Sequence, residues 1–272
     1  MESAVIGLFA ETSIHPGTES TGGLIDLPVA REAATGYPVI PGTSLKGSLR
    51  NKAGSNLDKK ALEDVFGVQD RAGGIAVTDA RLLLLPVRSL ISHYAWVTSP
   101  YLVERFARDK ELAGGKDEIS LDYPGGFQAF ASEGGELYLE ELTLQKVPRP
   151  DIIGKLTDAI NPLIYHESVK NRLNKQLVIV NDTVMAYFTT YCLSVQARNK
   201  LNENTKISEN LWYEETLPAD SLFYFLLLQR PEVNGSISAV IDILTDNPYV
   251  QVGGNETVGQ GWCAASMYKG EA

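Results

Sequence analysis

The sequence predicts an α+β domain rather than a doubly wound parallel sheet. Strand-like and helix-like segments alternate along the chain, and antiparallel hairpin patterns interrupt that alternation. A chain of 272 residues that is 44% hydrophobic also supplies one large core.

The segment AVIGLFAETSIH reads as a first strand that ends at the His15-Pro16-Gly17 turn, followed by a flexible GTESTGG loop. YPVIPGTSLKGSLRNKAG then gives a short extended piece and a Pro41-Gly42 turn. A helix follows, capped by Thr43 or Ser44 and closed at Gly54. DKKALEDVFG is a second short helix with Asp58 as cap and Gly67 as stop. GGIAVTDARLLLLPV reads as one long strand, and TSPYLVERFARDKEL as an amphipathic helix with Thr98 or Ser99 as cap and Pro100 at its first position. Residues 111–135 are glycine-rich and irregular; ELYLEELTLQKV alternates as one strand, and NDTVMAYFTTYCL is a helix capped by Asn181 or Asp182. LSVQARNKLNENTKIS is a hairpin turning at NENT and studded by Arg198, Lys200 and Lys206. LPADSLFYFLLLQ is a buried strand, GSISAVIDILTDN a helix, and YVQVGGNETVGQGWCAASMY two strands around a glycine-rich loop. This order suits a ferredoxin-like core carrying insertions.

Composition narrows the chemistry. The N-terminus lacks a basic segment followed by a long apolar one, and no apolar run approaches a membrane span, so a soluble, non-secreted chain is expected. Cys192 and Cys263 stand far apart without a CxxC partner, which fits a reducing cytoplasm. His15, His93 and His166 are isolated too, so a bound metal would take oxygen ligands. A formal net charge of −10 argues against loose nucleic-acid affinity, although a local basic groove on an acidic protein remains compatible with it.

GTSLKGS is not a P-loop, because Ser48 directly follows the second glycine and the lysine lies inside the loop. An ordinary capped helix accounts for it. Its physics also suits a phosphate: Lys46 and Arg50 share one helix face, Leu45 and Leu49 the neighbouring one, and the helix start presents N–H groups. Gly47 inside this helix costs about 1 kcal/mol against alanine, which suggests the close approach of another backbone. GQGWCA nominally matches a dinucleotide-binding turn, but too little chain follows for a βαβ unit. A tight hairpin and a phosphate-binding nest of N–H groups both remain open there. Ser44 lies in no nucleophile elbow. Glu11, Asp26, Asp79, Glu214 and Glu215 stand beside apolar or aromatic residues, and spacing does not choose among them, so Asp26 is either a turn cap or a chemical group.

Five segments in order, LFAETSIHPG, IDLPVAREAATGYPVIPGTSLKGSLR, LLPVRSL with AWVTSPYLVERFAR, LWYEETLPADSLFYFLLLQ and VQVGGNETVGQGW, resemble the RAMP superfamily. The likeness is to the repeated backbone subunit of the type III-B CRISPR effector, the Cmr complex, and runs nearly end to end. The type III-A backbone subunit shares the Asp26 and IPGTSLKG elements, and the LWYEE segment favours type III-B. The resemblance implies one RAMP domain over residues 1–272: an RRM-like palm with an inserted lid region, a thumb hairpin at about 192–215 and the irregular insertion at about 111–135. It implies a cytoplasmic antiviral ribonucleoprotein in which copies stack as a helical filament on guide (CRISPR) RNA, beside the small and large Cmr subunits. Target single-stranded RNA is cut beside each thumb, by a subunit that is an RNA-guided endoribonuclease; a non-catalytic guide-binding scaffold is the alternative.

Carried onto this sequence, the cutting acid is Asp26, which would also be an oxygen ligand for Mg²⁺ or Mn²⁺. The products implied are a 2′,3′-cyclic phosphate and a 5′-hydroxyl. Ser44, Lys46 and Arg50 would grip the guide backbone, with Arg198 on the thumb and Gly253, Gly254, Gly259 and Gly261 in the phosphate-facing loop. His15, Tyr213 and Glu214 fall in segments where auxiliary catalytic roles are implied. Asn199 and Asn210 stand where relatives are expected to carry apolar and glycine residues. A soluble α+β enzyme that binds a small phosphorylated ligand at the Lys46 helix is the reading independent of the resemblance.

Overall fold

A computed structural model describes residues 2–17, 24–115, 122–231, 233 and 235–268. Residues 18–23 of the expected 17–23 loop and residues 116–121 of the expected irregular insertion lie outside the described residues.

β1 (Ser3–Ala10) ends at Ala10 rather than His15; Ile14 pairs again only through a single bridge to Leu217. β2 (Val39–Ile40) leads through Pro41 into α1 (Gly42–Ala53). Neither Thr43 nor Ser44 caps α1: Pro41 is the N-cap residue, and Asp79 Oδ1 accepts from the Gly42 N–H at 2.7 Å. Nothing lies within 4 Å of where a Gly47 Cβ would stand. The close backbone approach occurs instead at Gly42, whose Cβ would meet the Val77 carbonyl at 2.8 Å. α2 (Lys59–Phe66) is capped as expected, Asp58 Oδ1 accepting from Ala61 N at 2.8 Å, and stops at Gly67.

β3 (Gly67–Val68) and β4 (Arg71–Ala72) form a small hairpin. The long strand expected over 73–87 is two, β5 (Ile75–Val77) and β6 (Ala80–Ser89). The break has a cause: Thr78 Oγ1 accepts from Leu226 N at 2.9 Å and Asp79 turns to α1, so both side chains serve other elements. β7 (His93–Thr98) leads into α3 (Pro100–Leu112), where the Ser99 hydroxyl makes no cap bond and Asp182 Oδ1 accepts from Tyr101 N at 3.0 Å. β8 (Gln128–Ala131) lies within the stretch expected to be irregular. The single strand expected over 136–147 is a hairpin, β9 (Gly135–Leu139) and β10 (Leu142–Pro148), turning at Glu140 with φ of +49°.

α4 (Pro150–Ile160), α5 (Glu167–Gln176) and β11 (Leu177–Val180) occupy a region to which the sequence reading assigned no element. α6 (Asp182–Tyr191) is capped by Asn181, whose side chain accepts from Val184 N at 2.8 Å. β12 (Ser194–Leu201) and β13 (Ser208–Thr216) form a separate two-stranded sheet. β14 (Leu222–Gln229), α7 (Ser236–Asp246), β15 (Tyr249–Gln251) and β16 (Trp262–Tyr268) complete the chain.

Among the described residues one twelve-stranded sheet runs β15-β16-β1-β14-β6-β7-β11-β8-β10-β9, with β2 on β6 and β5 on β14. Most pairs are antiparallel; β7–β11 and β8–β10 are parallel. Ser89 of β6 also meets Leu139 of β9, closing a barrel-like ring of six strands in a mixed α/β fold. β1 carries no polar residue after Ser3 because it serves two cores, sending Ile6 and Leu8 to the side of α1 and α7, and Val5 and Phe9 to the side of α3 and α4. Gly7 between them admits no side chain, since its Cβ would stand 2.2 Å from the Leu163 carbonyl. No helix among the described residues is long and apolar enough to cross a membrane.

Candidate functional site

The base of the β12–β13 hairpin is where the candidate acids gather. Most of β12 and the first part of β13 are exposed, but β13 enters the core at its end, where Glu214, Glu215 and Thr216 are buried. Beside it runs the 26–29 segment, held by Leu27 N to the Tyr213 carbonyl at 3.0 Å and Glu215 N to the Leu27 carbonyl at 2.9 Å. Asp26 is exposed at the head of that segment. Its Oδ2 accepts from the Tyr213 N–H at 2.8 Å, and Oδ1 has no partner among the described residues. Half of this carboxylate is therefore a cap and half is open.

Glu214 points the other way along β13. Its Oε1 accepts from Asn255 Nδ2 and faces Arg198 Nη2 at 3.5 Å. Buried carboxylates need such partners, and these tie the hairpin to the glycine-rich loop. His15 is buried, its Nδ1 donates to the Glu215 carbonyl at 2.8 Å, and its Nε2 faces Gly17. The loop in turn rests on His15: Gly254 N donates to its carbonyl at 2.8 Å, and a Cβ on Gly253 would lie 2.7 Å from the same oxygen. Gly261, at φ of +86°, donates to the Ser13 carbonyl at 2.9 Å, whereas Gly259 at φ of +81° has open space where a side chain would be. Asp26, His15, Tyr213, Glu214, Arg198, Gly253 and Gly254 thus form one connected patch.

α1 stands across a cleft from that loop. The cleft has a volume of about 540 Å³, and Ser44, Lys52, Tyr249, Gly253 and Trp262 are among its lining residues. Lys52 Nζ donates to the Tyr249 carbonyl at 2.9 Å; partial burial lowers its pKa, with Asp246 opposing. Lys46 makes no hydrogen bond or ion pair among the described residues, while Arg50 Nη1 donates to the Gly67 carbonyl at 2.5 Å. The two cations, expected to act at one place, have different surroundings. The Gly42 N–H at the helix start is also taken by Asp79.

Sequence reasoning assigned no role to Arg31, Asn255 or Gln260. Asn255 adopts φ of +61° and donates to Gln260 Oε1 at 2.9 Å as well as to Glu214. The signal available for it was an Asn among glycines, a residue type that tolerates the left-handed region. Among the described residues, no group of three or more His, Cys, Asp or Glu side chains is gathered as a metal cage. A divalent ion at Asp26 would receive one protein oxygen, the arrangement Mg²⁺ accepts when phosphates and water supply the rest.

Residues 10–264 match the RAMP superfamily. The CRISPR system Cmr endoribonuclease Cmr4 of Pyrococcus furiosus is 36% identical, over 98% of this chain and 96% of that protein. The crystal structure of oligomeric Cmr4 from Pyrococcus furiosus is similar with a TM-score of 0.82 at 31% identity, covering 100% of both chains. A chain in the cryo-EM structure of the type III-B Cmr-beta bound to cognate target RNA shares the fold, with a TM-score of 0.80 at 22% identity over 98% and 97% of the two chains. By the span of the family match and the identity sustained across its length, this chain belongs to the RAMP superfamily.

Proposed function

We propose that this chain is a repeated backbone subunit of a type III-B CRISPR effector that binds guide RNA and cuts complementary target RNA. The observation that carries the reading is the exposed Asp26, with one oxygen fixed on the backbone of β13 and the other open, at the base of a protruding hairpin. The 36% identity to a Cmr endoribonuclease over 98% of the chain supports it.

In this reading the chain is one domain in the cytoplasm, with a ferredoxin-like, RRM-like palm and β12–β13 as its thumb. Copies stack along the guide with the other Cmr subunits. Lys46, Ser44 and Arg50 on α1 and the loop through Gly253, Gly254, Gly259 and Gly261 face guide phosphates, and Arg198 sits on the thumb. His15, Tyr213 and Glu214 support the cutting loop. RNA carries its own nucleophile, so the protein's task is to splay one nucleotide into line and handle a proton. The 2′-oxygen attacks the adjacent phosphorus as the open oxygen of Asp26 takes its proton. The bond from phosphorus to the 5′-oxygen breaks and that oxygen takes a proton from water, leaving a 2′,3′-cyclic phosphate and a 5′-hydroxyl, while Asp26 gives its proton back to solvent. In the alternative role the open oxygen of Asp26 would instead hold a Mg²⁺ or Mn²⁺ ion that neutralises charge on the reacting phosphate, and the proton of the 2′-hydroxyl would pass to water.

The test is Asp26→Asn in a reconstituted effector. Guide and target binding should persist while cutting is lost, because an amide still accepts from Tyr213 but is no base. Cutting at the wild-type rate would leave the chain a guide-binding scaffold.

A further inference from the structure

The hairpin base contains a partly buried ion pair, Arg31 with Glu215, that takes no part in the cleavage chemistry. The Glu215 side chain is 4% exposed, and its two oxygens have different partners. Oε2 accepts from the Val29 N–H at 3.0 Å, and Oε1 accepts from Arg31 Nη2 at 2.8 Å. Arg31 extends the chain of contacts, Nη1 donating to the Thr189 carbonyl at 2.8 Å and the Gly36 carbonyl at 3.0 Å. Thr189 lies in the last turn of α6, where free carbonyls attract a cation.

These contacts brace the segment that carries Asp26. Only Leu27 and Pro28 separate Asp26 from Val29, and the proline ring fixes one of the intervening torsions. Stability alone does not call for an ion pair here, since well-packed apolar residues often replace a buried pair without loss. A carboxylate committed at both oxygens supplies direction instead, because each hydrogen bond is angle-dependent.

We infer that Glu215, seated on Arg31, is a positioning residue for target cleavage, an inference that rests on Asp26 being the cutting carboxylate. It holds the 26–31 segment against β13 so that the open oxygen of Asp26 meets the scissile nucleotide, and it does not itself touch RNA.

The test uses the reconstituted effector with Glu215→Gln and with the double variant Arg31→Met, Glu215→Leu. The double variant removes both charges together and leaves none buried alone. Wild type and Asp26→Asn are run beside them. Single-turnover cleavage at saturating target is measured together with guide and target affinity. The double variant should cut about 10- to 100-fold more slowly, the scale of a small misplacement of a reacting group, with affinities within about twofold of wild type. Glu215→Gln should fall between, since its amide oxygen still accepts from Val29. Wild-type rates in both variants overturn the inference, and so does loss of guide or target binding in step with the rate. Asp26→Asn cutting at the wild-type rate overturns the proposed function and this inference with it. An inactive Asp26→Asn beside fully active Glu215 variants overturns the inference alone.

Discussion

Alanine at Lys46 and alanine at Arg50 should have opposite signatures, although both residues are basic and lie one helical turn apart on α1. Arg50 Nη1 is 2.5 Å from the Gly67 carbonyl and so ties α1 to the end of α2. A hydrogen bond from a charged donor contributes about 1.5–3 kcal/mol, and partial exposure places this one at the lower end. For a domain of this size about 1.5 kcal/mol corresponds to a fall in Tm of about 3–6 °C. Lys46 has no such bond among the described residues, so its removal should change stability by no more than about 0.5 kcal/mol. Its effect should appear in guide binding. If it neutralises one phosphate of a single strand, the slope of log affinity against log salt falls in magnitude by about 0.7 per subunit. That loss should be the same for unrelated guide sequences, because phosphate contacts position without specifying. Thermal melts and a guide-binding titration over a potassium chloride series decide the matter. Lys46→Ala melting as low as Arg50→Ala, or an unchanged salt slope, would refute the reasoning.

Two further expectations concern the C-terminal loop and pH. Gly259→Ala meets only the strain of φ at +81°, about 1–2 kcal/mol, whereas Gly261→Ala adds a Cβ 2.1 Å from the Val252 carbonyl and should lower the urea midpoint distinctly more; equal effects would contradict this. Burial pushes the Cys192 thiol up to about 12 from 9.0 and the Tyr94 hydroxyl up to about 12 from 10.0. Both groups keep their protons in the folded chain longer than in the unfolded one. The stability they contribute is therefore whole below about pH 9 and is lost as pH rises toward about 12. The urea midpoint should start to fall above about pH 9, and Cys192→Ser should make that fall shallower without moving its onset, because burial also pushes the Cys263 thiol up from 9.0; a flat profile would rule the linkage out.

Local chemistry decided which elements were legible in the sequence. Asp58 and Asn181 cap α2 and α6 with their own side chains, so the signal and the structure coincide. α1 was legible as a helix but not in its cap, and at α3 Ser99 stands at the cap position as expected; in both, the bond to the helix start comes from another element, from Asp79 and Asp182. The β9–β10 turn left a trace that alternation alone hid. Leu137 and Leu139 are in phase, Leu142 and Leu144 are in phase, and the adjacent Glu140 and Glu141 shift the two pairs by one. The 150–180 region carries two helices that build the second core, and their role follows from packing against β7 and β8 rather than from any local motif. Within the site, the residues were nameable but their partners were not. Nothing in the spacing of Arg31 and Glu215 foretells a 2.8 Å contact across 184 positions.

The LWYEE stretch draws these contacts together. Tyr213, Glu214 and Glu215 are consecutive on β13, and each ties the hairpin base to a different structure: Asp26 through the Tyr213 backbone, the glycine-rich loop through Glu214, and the Arg31–α6 brace through Glu215. Successive side chains on a strand point to opposite faces, so Glu214 and Glu215 reach opposite ways from one place. Both are almost fully buried, at 2% and 3% exposure, and a buried carboxylate that loses its partner is strongly unfavourable. Tilting the base of the hairpin would therefore break the Asn255 bond to Glu214 on one side or the Arg31 pair with Glu215 on the other. In the proposed function this makes the hairpin that meets the guide–target duplex and the carboxylate that cuts beside it move as one piece. The distance from hairpin to cut is then a property of the fold, and a change at the exposed tip should alter how the duplex is engaged while leaving the position of Asp26 relative to the hairpin base unchanged.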